Sequence, residues 1–555
     1  MSQADFIARL VDGLFRGGAR RAILSPGYRN APVALALRAH PQILTEVIVD
    51  ERAAAFFALG LSRASGEPVI LSCTSGSAVA NYLPAICEAH SDRIPLLILS
   101  ADRPPELKRA GAPQTMPQRD IFADFVVYSD ELSEPPALDE DLPRTPWDAR
   151  IAMALSAATA DEGGPVHLNL PLRKPLLPET TPPPMARPPR LLRGRRRLDP
   201  DQTTELSASF AGAERPVIVA GPMIREAAGE AAKLGDAITR LAERSGWPLI
   251  ADILATCRPQ ATQSGDAIAR RPGGPTPDAV LWFCDAPVSA PLLRWIGRCP
   301  GPVARISAGG TWRDPSFRTS LAVDAAPTDT ADALALPPGS PAWRERWAQE
   351  VADADAHLAK ADEHGRWEGP ILARALQAWP GAHVHIANSS SIRDLDTFGR
   401  LGAGERALCN RGVNGIDGTI ATAAGEAMAL AQPLLAVVGD LALAHDLGAL
   451  LHTPATSLVI LAIDNGGGQI FRQLPVREHP AFEEIFVTPT PTDLGAIATA
   501  MGWSYAALRG DPEELSQALD QALLQAHQRG RTIIQLHLDP HAAFNARRSF
   551  WNAWR

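Results

Sequence analysis

The sequence predicts an α/β protein of three tandem, doubly wound parallel-sheet domains. Its 555 residues, 46% of them hydrophobic, suffice for three or four ordinary domains, each with its own core. Its short apolar runs, rich in β-branched residues, are continuous rather than alternating, the mark of strands covered on both faces. The same strand-and-helix rhythm occurs three times along the chain, which points to parallel sheets rather than hairpins.

In the first third the runs are Arg21-Ala-Ile-Leu-Ser, Val47-Ile-Val-Asp, Pro68-Val-Ile-Leu-Ser-Cys, Pro95-Leu-Leu-Ile-Leu-Ser and Pro165-Val-His-Leu-Asn-Leu. A proline-rich segment from Pro175 to Pro189, running into Arg193-Gly-Arg-Arg-Arg, packs as neither helix nor central strand and reads as a solvated linker. The rhythm resumes with Pro216-Val-Ile-Val-Ala-Gly, Pro248-Leu-Ile-Ala and Val280-Leu-Trp-Phe. It returns once more with His383-Val-His-Ile-Ala, Leu434-Leu-Ala-Val-Val-Gly-Asp and Leu458-Val-Ile-Leu-Ala-Ile-Asp. The charged helical stretch Trp343 to Trp367 marks the second boundary. The expected division is therefore 1–180, a linker over 181–200, 201–345 and 346–555.

Fifty-three Lys and Arg against 62 Asp and Glu leave a net charge of −9, too mild and of the wrong sign to draw nucleic acid or an anionic membrane. The six cysteines contain no Cys-x-x-Cys pair, so neither a disulfide framework nor a zinc site is expected, and a reducing cytoplasm follows. The first residues lack a basic leader, and the most apolar stretch, Met428 to Leu443, is broken by Gln432, Pro433 and Asp440, so neither a signal peptide nor a membrane span is expected.

Doubly wound sheets bind ligands beyond the carboxyl ends of their strands, so the residues after each run matter most. Val437-Val-Gly-Asp440-Leu is followed, 25 residues after the aspartate, by Asn465-Gly-Gly-Gly-Gln-Ile-Phe471. Two strands each ending in an oxygen-bearing side chain, with a glycine-rich turn that lets the backbone approach a ligand, suit Mg²⁺ and a diphosphate. Taken singly, Asp440 is as readily a helix cap and Asn465-Gly a tight turn; the pairing favours the site.

The Gly439-Asp440 and Asn465 pair resembles the thiamine-diphosphate signature, Gly-Asp-Gly then Asn-Asn, with Leu441 in place of the last glycine. Further stretches narrow the resemblance. They are Ser25-Pro-Gly-Tyr-Arg-Asn, Asp50-Glu-Arg-Ala-Ala-Ala-Phe-Phe, Thr74-Ser-Gly-Ser, Ala101-Asp-Arg-Pro-Pro-Glu-Leu, Asn388-Ser-Ser-Ser-Ile-Arg-Asp and Asn410-Arg-Gly-Val-Asn-Gly-Ile-Asp-Gly. Together they resemble the 2-succinyl-5-enolpyruvyl-6-hydroxy-3-cyclohexene-1-carboxylate synthases of menaquinone biosynthesis, densely in the first and last thirds and only in element pattern in the middle.

The resemblance implies pyrimidine-binding, central and diphosphate-binding domains. It also implies decarboxylation of 2-oxoglutarate and conjugate addition of the resulting succinyl carbanion equivalent to isochorismate. Thiamine diphosphate and Mg²⁺, or Mn²⁺ in its place, are the implied cofactors. Glu51 would be catalytic, beside N1′ of the aminopyrimidine, where a carboxylate stabilises the imino tautomer. Ser75, Gly76, Ile416, Gly439, Asp440, Leu441, Asn465, Gly467, Gly468, Gln469, Ile470 and Phe471 would contact the cofactor, Ile416 as the apolar wedge that bends it. Asp440, Asn465 and the Gly467 carbonyl would be the metal ligands.

Substrates rich in carboxylates call for guanidinium groups that bind bidentately, and the resemblance places Arg29, Arg103, Arg393 and Arg411 in that role, with Gln114 and Ser389 as further polar contacts. It further implies a homodimer or a dimer of dimers, each site combining the first domain of one subunit with the last domain of another. Without the family, Glu51 is as readily a charge favoured at a helix N-terminus, and an arginine is ordinarily a solvated surface residue.

The chain departs from the family pattern at Tyr28, Pro113 and Asp464, and Arg294 is the nearest basic group where some members contribute a lysine. Three of these four departures fall on the acceptor side, which keeps open a diverged carboligase with another acceptor. A flavin- or nucleotide-binding protein with a decayed thiamine site is opposed by the intact Glu51, Asp440 and Asn465, and no Gly-x-Gly-x-x-Gly follows a strand.

Overall fold

The computed structural model describes residues 2–132, 146–177, 188–189, 192–223, 228–309, 312–364, 366–453, 458–489, 492–509 and 512–554. Three sheets, parallel throughout, are interleaved with helices, as the continuous apolar runs predicted. The chain forms two compact units. One comprises Met1–Arg193, Asn410–Ala431 and His445–Pro454, and the other Gly194–Cys409, Gln432–Ala444 and Ala455–Arg555.

The first unit holds β1 (Arg21–Leu24), β2 (Leu44–Val47), β3 (Val69–Cys73), β4 (Leu96–Asp102), β5 (Tyr128–Glu131) and β6 (Val166–Pro171), in the order β2-β1-β3-β4-β6-β5. The inner strands β3, β4 and β6 are buried along their whole length. Phe6, Leu10, Leu14, Leu97, Leu99 and Trp147 fill one side of this sheet, at about 1.5–3 kcal/mol per large side chain buried.

The second run needs correction. The strand is Leu44–Val47, not Val47-Ile-Val-Asp, and Ile48 to Asp50 turn into the helix Glu51–Ser65. Among the described residues strand β2 pairs only with β1, and Leu44 and Val47 remain 62% and 63% exposed. Apolar residues at a sheet edge need not be covered, and hydrophobic continuity alone cannot separate the two cases.

The second unit holds two sheets. In one, β7 (Pro216–Ala220), β8 (Leu249–Ala251), β9 (Ala279–Phe283), β10 (Val303–Ser307) and β11 (Leu321–Asp324) take the order β11-β10-β9-β7-β8. In the other, β12 (His383–Ile386), β13 (Arg406–Leu408), β14 (Leu434–Gly439), β15 (Leu458–Asp464), β16 (Ser504–Leu508) and β17 (Thr532–His537) take the order β13-β12-β14-β15-β17-β16. Strands β5, β10, β11, β13, β16 and β17 had no counterpart among the sequence-predicted runs. In β10 the run is interrupted by Arg305, which stays in a buried strand because its Nε donates to the Cys284 carbonyl at 3.1 Å and its guanidinium faces Asp285.

The stretch expected to mark a boundary, Trp343 to Trp367, is tied into the core of this unit. Trp343, Trp347 and Trp367 are buried with Trp295, Phe398 and Phe550, and Trp343 Nε1 donates to the Pro216 carbonyl at 2.9 Å. The charged residues of the helix Pro341–Leu358 occupy its other face. Of the expected linker, residues 181–187 and 190–191 lie outside the described residues. Residues 192–199 carry neither helix nor strand, and the arginines read as merely solvated pair along the second unit: Arg195 with Glu230 at 3.0 Å, Arg196 with Asp324, and Arg197 with Asp329 at 2.8 Å. These pairs are exposed and contribute at most about 1 kcal/mol each. All six cysteines are free thiols.

Candidate active site

In each end sheet the strand order reverses at one point, between β1 and β3 in the first unit and between β12 and β14 in the second. Such a switch point opens a crevice at the carboxyl ends of the strands. The sequence-predicted residues form two sets around these points, one in each unit.

In the first unit Arg29 follows β1, Glu51 follows β2, Ser75 and Gly76 follow β3, and Arg103 and Gln114 follow β4. Arg29 is buried and donates to the Leu172 carbonyl at 2.7 Å. Burial and the neighbouring Arg103 cation both lower its pKa, so the two guanidinium groups are near enough to repel. A carboxylate between them would relieve that repulsion. Arg103 is aimed by two partners: its amide donates to Asp102 Oδ1 at 2.7 Å and its Nε to the Pro113 carbonyl at 3.2 Å. Pro113, a departure in sequence, thus still supplies a main-chain acceptor. Behind it, buried Asp102 is held by Lys108 Nζ at 2.9 Å and Asn169 Nδ2 at 2.9 Å.

Gly76 lies against Gln114, whose backbone has φ +54°, and the Gly76 amide donates to Gln118 Oε1 at 2.9 Å. Left-handed backbone at a residue other than glycine stores strain and marks functional sites. Ser75 is buried with its hydroxyl unpartnered among the described residues, a group that an oxygen-rich ligand would satisfy. Glu51 opens its helix without capping it. That role falls to Asp50, whose Oδ1 accepts the Ala53 amide at 3.2 Å. The half-buried Glu51 carboxylate joins no hydrogen bond or ion pair among the described residues, and it faces Cys73 and Tyr82, both of which burial holds in the neutral form. Arg411 and Ile416 lie on a loop of the same unit, Ile416 with 39% of its surface exposed.

In the second unit β14 ends at Gly439 and Asp440 opens the next helix. Asp440 Oδ1 accepts the Leu441 amide at 2.8 Å and Oδ2 the Gly467 amide at 2.7 Å, joining the ends of β14 and β15. Burial raises the Asp440 pKa despite these bonds, the state of a carboxylate that a cation would stabilise. Gly467 has φ +112°, and a Cβ there would lie 2.1 Å from the Val487 carbonyl oxygen, so only glycine fits this turn. The Gly467 carbonyl accepts the Gln469 amide at 2.8 Å and keeps a second lone pair. Gly468 is pinned by its amide on the Val487 carbonyl at 2.8 Å, and Gln469, Ile470 and Phe471 continue in the short helix Gln469–Gln473, with Phe471 37% exposed. Ser389, after β12, has φ +71°, and its carbonyl accepts from the exposed Arg393.

One feature of this set was missed in the sequence. Asn465 is buried, and its Nδ2 donates to Glu368 Oε1 at 2.8 Å. Although burial disfavours the ionised form, the Arg547 guanidinium and the Asn465 amide hold the Glu368 pKa below the usual range. A carboxylate only accepts, so the amide nitrogen faces Glu368 and Oδ1 turns away, the orientation a metal ligand needs. Arg547 is itself gripped by Asp394 at 2.5 and 2.6 Å. Glu368→Ala is expected to weaken Mg²⁺ binding about 10–100-fold in a calorimetric titration with thiamine diphosphate present, and unchanged affinity would sink the orienting role. Asp464, in contrast, is turned toward Gln535 at 2.7 Å and His537 at 2.9 Å.

These oxygens and amides fit a diphosphate-bound divalent ion in kind. Residues 5–123 match the thiamine pyrophosphate enzyme, N-terminal TPP binding domain. Over 521 residues, 87% of each chain, the sequence is 38% identical to the 2-succinyl-5-enolpyruvyl-6-hydroxy-3-cyclohexene-1-carboxylate synthase of Geobacillus kaustophilus (strain HTA426). The chain belongs to this synthase family. A synthase of the same name from Roseiflexus sp. (strain RS-1) is 36% identical over 97% of this chain and 95% of its own. Benzoylformate decarboxylase from Polynucleobacter necessarius shares the fold, with a TM-score of 0.71, 15% identity and coverage of 97% of this chain and 99% of that one. Membership in the synthase family, an enzyme family, bears out the resemblance read from the motifs. Among the described residues no helix is long and apolar enough to cross a membrane.

Proposed function

We propose that this member of the synthase family decarboxylates 2-oxoglutarate and adds the succinyl unit to isochorismate, using thiamine diphosphate and Mg²⁺, with Mn²⁺ as a substitute ion. The reading includes a cytoplasmic homodimer or dimer of dimers in which the first domain of one subunit and the last domain of another complete each site. The observation that carries it is the junction of Asp440 with Gly467 beside an oriented Asn465, in a chain whose relatives bear this synthase name.

When bound, thiamine diphosphate supplies the electron sink for loss of CO₂. Asp440, Asn465 and the Gly467 carbonyl would hold the metal, and Ser75 and the glycine-rich turn would meet the cofactor's polar groups. The Glu51 carboxylate would share a proton with N1′ of the aminopyrimidine. Arg29 and Arg103, with Arg393 and Arg411, bind and orient substrate carboxylates, and exclusion of water keeps the succinyl carbanion equivalent from being protonated to succinic semialdehyde.

A second reading, a carboligase with another acceptor, draws on Tyr28, which stands 64% exposed beside Arg29. Incubation with thiamine diphosphate, Mg²⁺ and 2-oxoglutarate, with and without isochorismate, separates the two. Consumption of isochorismate and appearance of the succinyl adduct by mass spectrometry is the expected result. Release of CO₂ with isochorismate untouched favours the second reading, and turnover of pyruvate with neither event overturns both.

A further inference from the structure

The loop of residues 410–418, which carries Arg411 and Ile416, is gripped by a carboxylate that no motif marked. Glu88, 1% exposed on the helix Leu83–Asp92, accepts the Gly412 amide on Oε1 at 2.8 Å and the Val413 amide on Oε2 at 2.7 Å. Along the same helix Ser91 Oγ donates to the Gly412 carbonyl at 2.8 Å. The loop backbone presses on the helix at this point: a Cβ on Gly412 would lie 2.7 Å from the Glu88 carbonyl oxygen and 2.9 Å from Ser91 Cβ.

The upstream end is fixed by the same buried cluster. Arg63 Nη1 donates to Asn410 Oδ1 at 2.7 Å, and Arg63 is paired with Asp92 at 2.9 Å, Glu426 at 3.2 Å and Glu88 at 3.8 Å. Asn410 Nδ2 continues to Thr422 Oγ1 at 3.1 Å. Downstream, Gly418 sits against the Phe56 ring. The loop is thus held at residues 410, 412, 413 and 418, while Val413 and Ile416 keep 54% and 39% of their surface exposed.

We infer that Glu88 is a positioning residue whose carboxylate, closed on the Gly412 and Val413 amides, sets the backbone that presents Arg411 to substrate and Ile416 to the cofactor. The inference rests on the roles proposed for those two residues. Each Glu88 oxygen takes one amide, so the contact uses two acceptors and no donor, as an ionised carboxylate provides; burial and Asp92 push the Glu88 pKa up, while Arg63 and the two amides favour the ionised form. Glutamine at this position keeps one acceptor and sets an NH₂ against a backbone N–H, so the volume is preserved while the grip is lost.

The test uses the full-length protein as wild type, Glu88→Gln and Ser91→Ala. Hydrogen exchange of the cofactor-free protein is read by mass spectrometry alongside steady-state kinetics with 2-oxoglutarate and isochorismate. In Glu88→Gln, exchange within 410–418 is expected to quicken about tenfold or more while β3 and β4 stay protected, with kcat/KM down about 10–100-fold. Ser91→Ala, which leaves every buried charge in place, shifts both readouts in the same direction by less, and it carries the test if Glu88→Gln does not fold. Unchanged loop exchange in the folded variants, faster exchange throughout the first unit, or a freed loop with wild-type kcat/KM overturns the inference. A wild type that lacks synthase activity while the variants still free the loop overturns the roles given to Arg411 and Ile416 and leaves the clamp standing.

Discussion

Replacing Glu51 by glutamine is expected to lower kcat/KM by about 10²–10⁴-fold while thiamine diphosphate still binds. The helix it opens is capped by Asp50, and Glu51 itself joins no hydrogen bond or ion pair among the described residues, so its loss removes no structural contact. Stability should therefore stay within about 0.5 kcal/mol of wild type in urea melts. Cys73 and Tyr82, which feel the Glu51 charge, are themselves kept neutral by burial. A general acid–base role and a plain helix-terminus charge thus predict different outcomes for one substitution. The first predicts a large kinetic loss in a stable protein. A variant within about tenfold of wild-type kcat/KM would leave only the second.

The other large effect concerns Asp440. Its carboxylate is half-buried, and that burial raises its pKa, with the Leu441 and Gly467 amides as its partners. Bound Mg²⁺ and diphosphate should stabilise the folded state by mass action, about 2.7 kcal/mol at a hundredfold excess over Kd. Wild-type protein is therefore expected to melt several degrees higher when both are added. Asp440→Asn should lose nearly all of that increment, because one oxygen is replaced by a donor that repels both the metal and the Gly467 amide. An equal increment in the variant would remove Asp440 from the metal site. Glu368→Ala, which spares the ligand and disturbs only its orientation through Asn465, should fall between the two.

The parts of the fold legible in the sequence are those encoded locally. Runs such as Pro68 to Cys73 and Leu458 to Asp464 became inner strands because clusters of consecutive apolar residues, Val69 to Leu71 and Leu458 to Ile463, have few other places to go. Asp440 and Asn465 could be paired from spacing because each stands at the end of its strand and the two strands are neighbours. Val47 to Asp50 was misplaced because an edge strand and an inner strand share the same composition. The missed residues have another character. Glu368 lies 97 positions from the Asn465 it orients, and Glu88 lies 324 from Gly412. No periodicity connects such pairs, and an isolated glutamate on a helix looks the same whether it faces water or grips a loop.

The sequence by itself determined the parallel α/β class, the strand ends where chemistry is to be sought, and the motifs that mark the synthase family. These are properties of short windows, where side-chain period, turn chemistry and residue type act within a few bonds. Tertiary structure alone decided which face of Asn465 is turned outward, which carbonyl aims Arg103, and which carboxylate holds the loop of Arg411. The physical reason is that a hydrogen bond constrains a few ångströms of space and not a distance along the chain, so its partners become known only once packing has brought remote segments together.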